Sequence, residues 1–172
     1  MIIDFRDVVK LGLAEYMDDL EKALEGLTPE ERRFQPGPES HHIDYTVWHM
    51  ARVEDGWMNR GIRREPQVWN RDGWHEKLGL PEADNGFGYT AEQVANLPVF
   101  DLDELMNYYG AVRADALRLI DGLSNEDLEK VPNPQRNPDY TIANILSHLL
   151  IEEAEHVGQI AYLRGLQRGL GK

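Results

Sequence analysis

The sequence has no cysteine. That excludes disulfides, thiolate metal sites and a nucleophilic thiol of the protein's own, so any sulfur chemistry has to use a thiol brought from outside. Positive charge is scarce as well, with 18 basic residues against 31 acidic ones and a formal charge of −13. A nucleic-acid partner needs a cationic surface that displaces counterions, and this chain offers only short clusters such as Arg60, Arg63, Arg64 and Arg164, Arg168. DNA and RNA are therefore not expected ligands. No apolar run approaches the ~20 residues of a membrane span. The N-terminus lacks the basic, apolar and small-residue succession of a signal peptide, so a cytoplasmic location is expected. Strand-like alternation and internal repeats are missing too.

What remains is helical periodicity. Hydrophobic residues make up 41% and charged residues 28%, a balance that suits a folded globular chain, and 172 residues predict one domain over 1–172. From Ile3 to Leu27 the positions Phe5, Val9, Leu13, Tyr16, Met17, Leu20, Leu24 and Leu27 keep helical spacing, and Gly26 ends the run. Thr28-Pro29-Glu30-Glu31 is a capping-box signature for a short further turn. A second long helix is expected over Ser40 to Ile62, with Tyr45, Trp48, His49, Arg52, Val53, Gly56 and Trp57 facing inward or nearly so. Arg52 has two readings, a solvated surface charge, which is preferred, or a cation aimed at an anionic substrate.

Residues Arg64 to Phe100 break the pattern with three prolines, four glycines and Trp69, Trp74 and Phe87. So long an aperiodic stretch is either a functional lid or a cap over one end of the fold, with Trp69 and Trp74 lining a pocket in either case. Thr90 to Gln93 caps a short helix there. Asp101 and Glu104 then form a capping box for a third helix, whose seam is Leu102, Leu105, Tyr109, Val112, Ala116, Leu119 and Leu123. One more capped turn over Ser124 to Val131 and a linker with Pro132, Pro134 and Pro138 lead to the fourth helix at Thr141. The expected fold is an all-α four-helix bundle, with a long crossover between helices two and three.

The fourth helix carries the chemistry. Its stripe reads Ile142, Ile145, Leu149, Glu152, His156, Gln159, Leu163, Leu166, with three polar residues in the middle where a core-facing seam should be aliphatic. Buried polar groups need partners. Glu152 and His156, one turn apart, reach a single point between helices, and a carboxylate with a neutral imidazole is an ordinary pair of ligands for a divalent metal. His148 is an alternative partner for Glu152, but it sits one place off the stripe and ~12 Å along the axis from His156. A third ligand has to come from another helix, and His49 is the best placed. The competing reading is a buried hydrogen-bonded pair of Glu152 and His156 met by His49, with no metal.

These residues also carry a family likeness. Trp48-His49-Met50 early in helix two, with Glu152-Glu153-Ala154-Glu155-His156-Val157-Gly158-Gln159-Ile160 in helix four, resembles the DinB-like superfamily of metal-binding four-helix bundles. That superfamily includes YfiT-type proteins, mycothiol-dependent maleylpyruvate isomerases and bacillithiol transferases. The resemblance spans nearly the whole chain and implies metal ligands at His49, Glu152 and His156. Many members have histidine where this chain has Glu152, and the glutamate form resembles the mycothiol-dependent isomerase branch.

Two histidines and a carboxylate leave zinc an open position, the mark of a catalytic site. The resemblance implies a thiol-dependent S-transferase or isomerase in which the metal, zinc or nickel, activates a low-molecular-weight thiol toward a small-molecule electrophile. A homodimer is also implied, since dimers are common in proteins of this kind. The alternatives are a metal-dependent hydrolase and a non-catalytic, metal-stabilised helical binding protein. Gln159 and His148 lie near the ligands; either orients them, or simply packs.

Overall fold

Local signals start and stop the helices. The computed structural model describes residues 3–169. Asp4 caps α1 (Phe5–Leu24) in a reciprocal box with Asp7, and Gly26, at φ 68°, turns the chain after it. Thr28 and Glu31 form the expected box on α2 (Pro29–Arg32). The cap of α3 (Ile43–Asp55) is a histidine: His42 Nδ1 accepts from Tyr45 N at 3.0 Å, and its Nε2 lies 3.0 Å from the Val94 carbonyl. The helix then widens without a break into a π-helical segment, Gly56–Arg63.

Three short helices follow inside the aperiodic stretch: α4 (Val68–Arg71), α5 (Trp74–Lys77) and α6 (Ala91–Ala95), the last with the expected Thr90–Gln93 box. Asp101 caps α7 (Leu102–Gly122) by accepting from Glu104 N, but the reciprocal half of the box is not formed. A 3-10 turn (Glu126–Glu129) and the proline linker lead to α8 (Ile142–Arg168), capped by Thr141 and Asn144. Among the described residues there is no strand.

Four long helices make the bundle. α1 packs on α8, α8 on α3, α3 on α7, and α7 back on α1. Their directions follow from side-chain pairs. Tyr108 meets Arg52 and Asp55 while Asp115 meets Arg63, so α3 and α7 advance together and run parallel. Parallel neighbours cannot be joined by a tight turn, which is why residues 64–100 form a crossover. Against α8, His49 meets Glu152 while Trp57 meets His148, so that pair is antiparallel.

The core divides in two. One part gathers Trp48, Trp69, Tyr108 and Leu105, the other Leu13, Met58, Ile120 and Leu149, all at or near complete burial. Each such side chain contributes on the order of 1.5–3 kcal/mol of burial free energy. Trp69 belongs to this core and Trp74 packs against it, so the crossover caps the bundle, and neither tryptophan is the pocket wall expected from the sequence.

Three other expectations change. Arg52 is only 3% exposed, not a solvated charge: it donates to Tyr108 Oη, Gln67 Oε1 and the Asp84 carbonyl, with Asp55 Oδ2 at 3.4 Å and Trp69 beneath its guanidinium. The stripe of α8 also turns away from the straight seam. Its buried face continues Leu149, Glu153, Val157, Ile160, Leu163, while Gln159 and Leu166 are exposed. The fully buried carboxylate is therefore Glu153, and Glu152 lies half-buried beside it.

Candidate functional site

Glu153 is held by a closed network. Arg113 forks onto Glu54 with two contacts of 2.9 Å, reaches Glu153 Oε2 at 3.3 Å and donates to the Leu13 carbonyl, and Tyr109 Oη donates to Glu153. Two carboxylates share one cation in a dry interior, so one of them holds a proton. Burial first, then the charge of Glu54, raises Glu153 to about 8. Sequence reasoning missed this cluster, although Tyr109 and Arg113 stand one helical turn apart, beside the apolar seam of α7.

One residue away, on the edge of α8, lies an open cluster. His49 from α3 and Glu152 and His156 from α8 bring donor atoms within 4.8 Å of one another, all three side chains half-buried. Two atoms each ~2.1 Å from one zinc ion stand at most ~4.2 Å apart, a separation that small side-chain rotations reach from here. Glu152 Oε1 is 3.1 Å from His156 Nε2 and 3.6 Å from His49 Nε2. The two imidazoles meet edge to face at 5.2 Å.

The hydrogen bonds around the cluster say what it lacks. His156 Nδ1 lies 2.9 Å from Gln159 Oε1. With that amide oxygen accepting, Nδ1 carries the ring proton and Nε2 presents a lone pair to a carboxylate oxygen. Two acceptors face each other, and a cation between them, a second ring proton or a metal ion, resolves the contact. Burial, and then the neighbouring His156, pushes His49 down to about 4 against the pull of Glu152. His49 is therefore neutral at pH 7, the form that ligates metals. Its Nδ1 is buried and finds no hydrogen-bond partner among the described residues. The donor set fits a divalent ion: two neutral imidazoles, one carboxylate, one orienting amide and an open side.

The crossover supplies the rest of the surroundings. Asp55 accepts from Val68 N and Trp69 N at 2.9 Å each, and Arg52 holds the Asp84 carbonyl, so both ends of residues 68–84 are fastened to α3. This fastening carries Gly86 and Phe87 over His49. Gly86 has φ 69°, and a Cβ on it would lie 2.8 Å from the Trp48 ring and 3.3 Å from His49 Nδ1, so only glycine fits. The Gly86 carbonyl accepts from Tyr45 Oη at 2.9 Å, and Tyr45 stacks on the His49 ring at 5.6 Å with the planes 11° apart. Phe87 packs on His49 at 5.8 Å.

His148 sits on the far side of Glu152, with Nε2 3.6 Å from Oε2, and its ring rests edge-on against Trp57. It flanks the cluster. His41 packs tilted against Tyr45, His42 caps α3 and His75 lies beside the Trp69 carbonyl, so none of these three belongs to it. Next to the cluster opens a cavity of about 850 Å³. The three clustered residues do not line it, but Phe87 and Trp57 do, which sets it one side chain away.

A solved structure of a conserved protein from Enterococcus faecalis shares the fold, with a TM-score of 0.87 and 24% identity over 99% of this chain and 100% of that one. No curated protein matches in sequence. Among the described residues no helix is long and apolar enough to cross a membrane. The family of mycothiol S-transferases matches residues 8–169, which takes in His49, Glu152, His156 and the whole crossover. The chain belongs to the mycothiol S-transferase family.

Proposed function

We propose that the protein is a metal-dependent S-transferase that joins a low-molecular-weight thiol to a small electrophile, with His49, Glu152 and His156 as the metal ligands. The observation that supports this reading is the convergence of these three donors within 4.8 Å beside a cavity, in a chain with no cysteine of its own. His49, Glu152 and His156 would hold a divalent ion, zinc or nickel by the chemistry of the donors, which would lower the pKa of an incoming thiol at neutral pH. In the transfer the thiol's proton goes to solvent, a carbon–sulfur bond forms and the leaving group departs from the electrophile.

The chain's residues prepare that reaction. Gln159 orients His156, while burial keeps His49 neutral. Phe87 and Tyr45 pack on the His49 ring from two sides and hold its orientation. Elemental analysis of untagged protein tests the reading, with native chain, His49→Ala and His156→Ala compared and transfer of mycothiol to a chromogenic aryl halide measured in parallel. Near-stoichiometric metal and transfer activity are expected in the native chain and absent from both variants. A folded native protein that refuses zinc and nickel, or one that holds metal and transfers nothing, would sink it.

A further inference from the structure

The chain has thirteen arginines, and ten of them engage a carboxylate, a ring or amide group, or a backbone carbonyl. The remaining three are Arg60, Arg64 and Arg136. Among the described residues none of their guanidinium groups has a hydrogen-bond or ion-pair partner, and all three line the one 850 Å³ cavity beside the triad. In a chain with 31 acidic residues, partners for three arginines are plentiful. Yet the cavity lining contains a single carboxylate, Glu65, and its fourth arginine, Arg52, is already neutralised by Asp55.

Two backbone features converge on the same wall. The π-helical segment Gly56–Arg63 brings Gly56 and Trp57, then Arg60 and Gly61, round to the cavity at a four-residue spacing. Long π-helical segments are rare and gather at functional sites. At the end of this one, Arg64 adopts φ 64° and ψ 35°, and among the described residues it is the only non-glycine residue with positive φ. Arg64 is the cap of that segment, its N–H donating to the Asn59 carbonyl, and this left-handed end fixes where its side chain leaves the helix. Across the cavity Arg136 is offered by the proline linker, with the Asn133 and Asn137 amides beside it.

We propose that this cavity is an anion-binding site, which takes a small molecule bearing two or more carboxylate or phosphate groups and holds it with Arg60, Arg64 and Arg136. The volume suits such a ligand, since pockets for small molecules run ~300–1,000 Å³. Phe87 lines the cavity and packs on His49, so an anion seated there lies beside the three ligands. Its role as electrophile or as the thiol itself rests on the S-transferase reading; the binding does not.

Calorimetric titration of the full chain at low ionic strength is the test. The probes are tricarballylate and inorganic pyrophosphate, with the uncharged trimethyl ester of tricarballylate as control. The proteins are native, Arg60→Gln/Arg64→Gln/Arg136→Gln and His156→Ala. At least one anion should bind at one site per chain, more tightly than the ester, and about tenfold or more weaker in the triple variant and at raised salt, as charge-assisted contacts require. Its affinity for His156→Ala should match native, which separates this site from the metal. Which of the two anions wins assigns carboxylate or phosphate. The proposal is overturned if the ester binds as well as the acid, if the triple variant keeps its affinity, if His156→Ala alone abolishes binding, or if neither anion binds below ~10 mM.

Discussion

Glu152 and Glu153 are neighbours in sequence and belong to opposite kinds of polar cluster. Glu153 faces the bundle interior, where Arg113, Tyr109 and Glu54 complete one another's hydrogen bonds. Glu152, ~100° round the same helix, faces His49 and His156, where the buried Nδ1 of His49 finds no partner among the described residues. The first set is closed and the second is open. The more deeply buried carboxylate is the one whose hydrogen bonds are complete.

Four substitutions would break or sharpen this contrast. Arg113→Met keeps the bulk and removes the cation, leaving Glu54 and Glu153 buried without it. Loss of one partner from a buried ion network costs ~3–5 kcal/mol, to be read from urea unfolding, while the fraction that folds should still bind metal. Gly86→Ala presses a methyl group into Trp48 and forces an alanine to φ 69°. A loss of ~1–3 kcal/mol is expected from strain and overpacking, together with a change in the environment of His49 visible by NMR.

Glu153→Gln tests the shared proton through pH. With its folded value raised from 4.5 to about 8, Glu153 binds more protons in the folded chain than in the unfolded one across that window, so its contribution to stability falls as pH rises. The native melting temperature should carry this downward slope, at most ~1.4 kcal/mol per pH unit, and Glu153→Gln should remove it. His49 works in the opposite sense. Its folded value is lowered from 6.5 to about 4, so between those values the unfolded chain binds more protons and stability grows with pH. The smallest effect belongs to Gln159→Leu, which leaves the fold intact and weakens metal affinity by ~10-fold, as loss of a ligand-orienting hydrogen bond does.

Much of this was legible in the sequence. The helices announced themselves by period and caps; spacing paired Glu152 with His156, and His49 joined them as the best-placed histidine on another helix, in agreement with the family likeness. Reading α8 as one straight seam, however, put Gln159 and Leu166 inside and left Glu153 out, because an unbroken three-and-four spacing takes no account of how the helix rolls against its neighbours. Arg52 was misread for a related reason: its partners Tyr108, Gln67 and the Asp84 carbonyl come from segments 15 to 56 residues away, which local pattern cannot pair. The widened turn of Gly56–Arg63 had no signature beyond two glycines.

The fastening of the crossover has an evolutionary consequence. Asp55 and Arg52 grip it from within α3, through backbone groups at Val68, Trp69 and Asp84 that any residue offers. At those points the grip does not read side-chain identity, although Arg52 also holds Gln67 Oε1 and rests on the Trp69 ring, so substitutions at the exposed positions between them should leave His49 and Glu152 where they are. On the proposed function, substrate preference and bond-making chemistry would then be free to evolve on separate schedules within one chain.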